Sequence, residues 1–157
     1  MRSLTVVLCA FVLSSLAAAQ PAKSGPSPCT LLTKAEVQEA AGAPVSDGTI
    51  NATQKSICDF KAGGGASAIS IMLTPKAVAD KAETTVAELK KRKIDAEMVP
   101  GFGDGAYASS PGYGMQQLGV YKGTSHVIIT VLLFGQPDAK SKAVTQTLMR
   151  KALARLP

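Results

Sequence analysis

The segment that most constrains this chain is its last extended run, residues 125–134. Val127, Ile129, Val131 and Leu133 fall on one phase of a two-residue period, and Ile128, Leu132 and Phe134 fall on the other. Successive side chains of a strand point to opposite faces, so a run that is apolar on both phases predicts the central strand of a sheet. The rest of the chain must supply its neighbours.

Those neighbours are readable. Residues 115–121 form a hairpin with this strand across Lys122-Gly123-Thr124, after a turn at Pro111-Gly112. Residues 56–61 and 67–73 form a second hairpin around Gly63-Gly64-Gly65, with Ile69, Ile71 and Leu73 alternating against Ala68, Ser70 and Met72. A triple glycine can also cradle phosphate, but a P-loop needs a following Gly-Lys-Ser/Thr and a helix, and neither is here. Residues 94–99 read as a short strand or a turn, and 106–109 as a strand. Between 100 and 107 the glycines alternate, leaving Phe102 as the one large side chain able to anchor a tight loop.

Three helices complete the pattern. Thr33 and Glu36 make a capping box ahead of Val37, Ala40 and Ala41, and Gly42 and Pro44 stop that helix. Thr74-Pro75 reads as N-cap and first helical position of a segment over 76–93, with Val78, Ala82, Val86 and Leu89 at helical spacing. Pro137-Asp138 opens a last helix through Leu156, with Val144, Leu148, Ala152 and Leu156 inward. The order predicts an α+β domain, a mostly antiparallel sheet of about 5–6 strands with three helices packed on one face.

The 157 residues divide into an expected signal peptide (1–19), a flexible N-terminal tether (20–28) and a single domain (29–157). Met1-Arg2 supplies the positive start, residues 4–16 an apolar core, and Ala17-Ala18-Ala19 small residues for cleavage. The apolar stretch is short for an anchor, and no later run reaches the roughly 18–20 apolar residues of a membrane span. The expected location is periplasmic or secreted.

Removing the leader takes Cys9 with it and leaves Cys29 and Cys58 in an oxidising compartment. A disulfide between them is the expectation; two independent buried thiols are the alternative. No Cys-x-x-Cys is present, which excludes thiol-oxidoreductase and c-type haem motifs.

The net charge of +6 is dispersed, its one dense run being Lys90-Lys91-Arg92-Lys93 at the end of the second predicted helix. Cations there complement the helix dipole and face water. Nucleic acid is not an expected partner, because aromatic residues do not interleave the cations.

Candidate chemistry is sparse. The one histidine, His126, opens the central strand, and a zinc site needs three or four converging ligands, so neither metal nor other cofactor is expected. Asp104 invites pairing with Asp59, Asp47 or Glu97 for acid–base hydrolysis, although between glycines it also suits a turn cap. No Gly-x-Ser-x-Gly is present. Asn51-Ala52-Thr53 is a formal glycosylation sequon.

The stretch 29–37 (Cys-Thr-Leu-Leu-Thr-Lys-Ala-Glu-Val), Cys58 followed by Phe60, and 99–107 (Val-Pro-Gly-Phe-Gly-Asp-Gly-Ala-Tyr) together resemble small exported bacterial domains. These are the uncharacterised actinobacterial-type lipoproteins and the extracellular sensor domains of some mycobacterial receptor kinases. The resemblance implies a Cys29–Cys58 disulfide, a helix-decorated antiparallel sheet and an envelope role without established chemistry. The chain departs from the lipoproteins in lacking a lipid-accepting Cys at the mature end.

The expected function is therefore a non-catalytic binding or envelope accessory domain for an envelope protein or small ligand. Its surface is the open sheet face or the loops bearing Phe102, Asp104, Tyr107, Tyr113 and His126. The alternative is an uncommon hydrolase using carboxylates and His126.

Overall fold

The computed structural model describes residues 26–62 and 67–157. The expected leader, most of the tether and the turn at Gly63-Gly64-Gly65 lie outside the described residues. Among these described residues seven strands form one antiparallel sheet: β1 (Thr49–Ile50), β2 (Ile57–Ala62), β3 (Ser67–Pro75), β4 (Asp95–Met98), β5 (Gly105–Gly112), β6 (Met115–Lys122) and β7 (Ser125–Leu132). Three α-helices, α1 (Lys34–Ala41), α2 (Ala82–Lys91) and α3 (Asp138–Leu153), pack against it. The strand order β1-β2-β3-β7-β6-β5-β4 puts the doubly apolar strand in the middle. Ile129 pairs with Ile71 on one side and Leu118 on the other. The strand added to the sequence expectation is β1, two residues paired with Asp59 and Cys58.

Register assigns the faces. Cys58, Phe60, Ile69, Ile71, Leu118, Val120, Val127, Ile129 and Val131 share the first face and form one buried cluster with Val37 of α1 and Val144, Leu148, Met149 and Ala152 of α3. Tyr107 and Tyr121, one residue out of phase with Ala106 and Val120, point to the second face, where they meet Ala82 and Val86 of α2 and Ala96 of β4.

The expectation of three helices on one face is thus corrected. α1 and α3 cover the first face, and α2 covers the β4–β5–β6 part of the second. The reason is local: β5 and β6 carry apolar groups on both phases at their paired ends, so the second face needs its own cover.

The start of α2 also differs. Thr74 and Pro75 stay in β3, opposite His126 and Ser125, and the helix begins at Ala82 with Lys81 as N-cap. Asp80 instead organises the connection by accepting the Ala77 N–H at 2.8 Å, and Val78 is wholly exposed. Proline's fixed φ suits a first helical position, but it also suits a strand end, where a missing N–H costs no ladder bond. At the other end, Ile94 N–H reaches Leu89 O (3.0 Å) and Lys93 N–H reaches Lys90 O (2.9 Å). This is a Schellman motif with Lys93, at φ 61°, in the position usually given to glycine.

The capping box of α1 forms as read: Thr33 Oγ1 accepts from Glu36 N–H, and the Glu36 carboxylate accepts from Thr33 N–H. Arg155 then grips both oxygens of that carboxylate at 2.9 and 3.0 Å while donating to Leu31 O at 2.9 Å. This bidentate ion pair holds the Glu36 carboxyl down to about 2. Cys29 and Cys58 are joined in a disulfide with a Cα–Cα separation of 5.1 Å, tying the segment ahead of α1 to β2. On the chain-entropy account the bridge contributes roughly 2–4 kcal/mol, and it fits an oxidising, extracytoplasmic environment. No helix among the described residues is long and apolar enough to cross a membrane.

Candidate functional site

The second face carries the chemistry. His126, opening β7, lies directly opposite Tyr121 in β6, and their rings stack with centroids 4.1 Å apart and 20° between planes. Tyr107 reaches in from β5, bringing its hydroxyl to 3.2 Å from His126 Nε2. The Tyr121 hydroxyl meets Thr85 Oγ1 of α2 at 2.9 Å, so the helix is fastened to the cluster by a side-chain hydrogen bond as well as by Ala82 and Val86. Lys76 Nζ stands 5.9 Å from the Tyr121 ring centroid.

Gly119 makes this arrangement fit. It pairs with Tyr107 across the ladder, and a Cβ there would collide with the Tyr107 phenol. A strand glycine here lets an aromatic ring from the neighbouring strand lie flat on its backbone.

Burial pushes the Tyr107 hydroxyl well above the ordinary tyrosine range, so it keeps its proton. Burial pushes His126 below its ordinary value of 6.5, with Asp80 acting in the opposite direction. Among the described residues the Tyr107 hydroxyl has no hydrogen-bond partner except Nε2; in the tautomer that leaves Nε2 unprotonated, the phenol donates and the neutral imidazole accepts.

Beside the cluster, a cleft of about 260 Å³ lies between the start of α2 and the β6–β7 hairpin. It is lined by Lys76, Asp80, Lys81, Glu83, Asp104 and Tyr121 among others.

The predicted site residues separate. Tyr107 and His126 come together, and Asp104 borders the same cleft as Tyr121. Asp104 serves the turn: its Oδ2 accepts Gly123 N–H at 2.8 Å, and its own N–H donates to Tyr121 O at 2.7 Å. The carboxylates considered beside it have other partners, Asp59 with Asn51, Glu97 with Lys142 and Asp47 with Lys34. Phe102 anchors its loop as expected, but inward. It is 6% exposed in the first-face cluster, with the Arg150 guanidinium 4.5 Å from its ring centroid.

Tyr113 stands alone, 94% exposed at φ 55°. It sits in the two-residue turn between β5 and β6, at the far end of β6 from Tyr121; the turn is Tyr113-Gly114 rather than Pro111-Gly112. Asn51 of the sequon is committed, donating from Nδ2 to Asp59 and accepting Thr53 and Gln54 N–H groups at Oδ1.

The sequence reading missed Tyr121, Thr85, Lys76 and Asp80. Tyr121 had a signal: Gly119 and Tyr121 share a phase of β6, and a glycine inside a strand marks close approach by something large.

Away from α2 the second face is built in rows. Ser109, Gln117, Thr130, Ser70 and Asp59 stand at one register across five strands, with Ser109 Oγ to Gln117 Oε1 at 3.2 Å and Gln117 Nε2 to Thr130 Oγ1 at 3.0 Å. The next row is apolar on the open side: Ile128, Met72 and Ile57, all half-buried. No helix of the described residues packs on this side of β1, β2 and β3. Among the described residues no three His, Cys, Asp or Glu side chains converge as a metal site would require. The chain matches no family model, no curated protein and no solved structure.

Proposed function

We propose that this chain is an exported, periplasmic or secreted, non-catalytic binding domain that presents the uncovered part of its second sheet face to an envelope partner or small ligand. The observation that carries the reading is the pair of rows on β2, β3 and β7. A polar line of Asp59, Ser70 and Thr130 runs beside an apolar line of Ile57, Met72 and Ile128, with no described helix above them. Apolar side chains give contact area and the adjacent hydroxyl, amide and carboxylate groups give orientation, which is the division of labour in binding surfaces. The disulfide supports the exported location. The resemblance to exported actinobacterial-type lipoproteins and receptor-kinase sensor domains belongs to the same proposal, since it implies an envelope role.

The cleft bordered by Asp104, Asp80 and Glu83 is the feature that a hydrolase would use, but the two residues named for that role are held by other groups. His126 Nε2 is bonded to a phenol rather than to a nucleophile or carboxylate, and Asp104 is bonded to a turn amide.

A photo-crosslinking residue at Met72 is expected to form an adduct in the native envelope, and the same residue at the exposed Gln38 of α1 is not. Equal yields at the two positions, or none at either, overturn the reading. Ester or glycoside hydrolysis by the purified protein that disappears in His126→Ala favours the hydrolase instead.

A further inference from the structure

The geometry points to α2 as an acid-released cover: protonation of His126 loosens this helix from the second sheet face while the rest of the fold stays closed. Three observations combine. His126 lies beside the α2 attachment, stacked on the tyrosine whose hydroxyl meets Thr85. Its Nε2 is the one hydrogen-bond partner of the Tyr107 hydroxyl among the described residues, and in the tautomer with Nε2 unprotonated it accepts the phenol proton. The α2 attachment is small and separate, a buried cluster of Ala82, Val86, Ala96, Tyr107 and Tyr121 that does not merge with the first-face core.

Protonating Nε2 turns an acceptor into a donor, so phenol and imidazolium face each other with a proton each. The phenol oxygen can then accept, but the Tyr107 hydroxyl proton loses its acceptor in a buried place, which carries a desolvation penalty. The imidazolium meets a mixed set of groups. Across the ladder are Tyr121 in β6 and Thr74 in β3; from β5 comes Tyr107. From the connection after β3 come Lys76, on the Tyr121 ring, and Asp80, the carboxylate that favours the charged form. Lys81 and Glu83 at the start of α2, with Asp104 on the loop before β5, line the cleft beside Tyr121. Burial outweighs Asp80, so the charged ring is better accommodated where water reaches it. Lifting α2 lets water in.

The sign follows. The closed state binds the proton less well than the open state, so acidification below the ordinary histidine value of 6.5 shifts the population toward the open helix until the lowered value is passed. A cooperative unit held by few buried contacts opens alone more readily than the whole domain.

Amide hydrogen exchange tests this on the intact, disulfide-bonded protein. Between about pH 7.5 and pH 5, after correction for intrinsic exchange, protection of the α2 amides should fall by roughly tenfold for each unit of difference between the open and closed histidine. Protection in α3 and β7 should stay constant. His126→Gln should leave α2 protection independent of pH over this interval. Asp80→Asn, which keeps an oxygen for the Ala77 N–H, should deepen the acid loss. A parallel fall in α2 and α3, unchanged α2 protection in the wild type, or a pH dependence that survives in His126→Gln overturns the proposal. If His126→Gln does not fold, the Asp80→Asn profile decides: a loss no deeper than wild type overturns it.

Discussion

The first face of the sheet carries apolar side chains from β2, β3, β6 and β7 under α1 and α3, with a disulfide at one side and the Glu36–Arg155 ion pair at another. The second carries two tyrosines under α2 with a histidine beside them, and beyond α2 no helix of the described residues packs on it. Both faces belong to the same strands, so the difference lies in the phase of each strand and not in its propensity. One phase supplies side chains that pack in any apolar setting. The other supplies rings and hydroxyls that need particular partners, and it is held by the smaller buried cluster. Stability is concentrated on one side of the molecule, and adjustable chemistry on the other.

That comparison can be broken most directly by core truncation. Leu148→Ala, at a fully buried first-face position, is expected to cost about 3–4 kcal/mol in urea unfolding, whereas Val86→Ala beneath α2 should cost about 1–1.5 kcal/mol. Equal losses would mean that the two faces are one energetic unit. Next in size, Gly119→Ala should cost about 1–3 kcal/mol because the new methyl group meets the Tyr107 ring. The near-ultraviolet tyrosine signal should weaken with it, and combining Gly119→Ala with Tyr107→Leu should recover part of the loss. An unperturbed tyrosine signal in Gly119→Ala would mean that the ring does not rest on that backbone.

The faces should also separate on a pH axis. Glu36 titrates at about 2 in the folded protein against an ordinary 4.5. Its contribution is therefore fully present above the ordinary value and is lost as pH falls through the lowered one. His126, lowered from 6.5, loses stability for the second face as pH falls below that ordinary value. Urea midpoints followed from about pH 7.5 to pH 2 should show the lower-pH loss reduced by Glu36→Gln and the higher-pH loss removed by His126→Gln. Loss of both in either variant would join what the structure separates. The smallest effect is a gain: Lys93→Gly at the Schellman position of α2 should stabilise by about 0.5–1 kcal/mol, and a decrease in midpoint would refute the assignment.

Much of this fold was legible in the residues. The capping box at Thr33 and Glu36, the centrality of β7 and the inward face of α3 each follow from a local rule that tertiary context had no reason to override. The pairing of Cys29 with Cys58 followed from cysteine count and compartment. The placement of α2 did not, because alternation reveals which residues share a face without saying which face a neighbouring strand offers to a helix. Thr74-Pro75 was misleading for a similar reason: the same two residues can begin a helix or finish a strand, and pairing with His126 and Ser125 decided the matter. Of the candidate site, Tyr107 and His126 were named but their contact was not, since β5 and β7 are joined only through β6. Tyr121, the residue between them, was detectable only through the unexplained Gly119.

One short stretch ties the two unequal faces together. In the β6–β7 hairpin, Tyr121 stacks on the second face, Lys122 Nζ donates to the carbonyls of Leu153 and Leu156 at the end of α3 on the first, and Gly123 N–H holds Asp104. Three successive residues thus contact three different parts of the molecule, and inserting even one residue among them would break at least one of those contacts. At the β5–β6 turn, by contrast, Tyr113 points into solvent. Length variation should therefore be tolerated at Tyr113-Gly114 and not at Gly123-Thr124, although both are two-residue turns at the ends of the same strand.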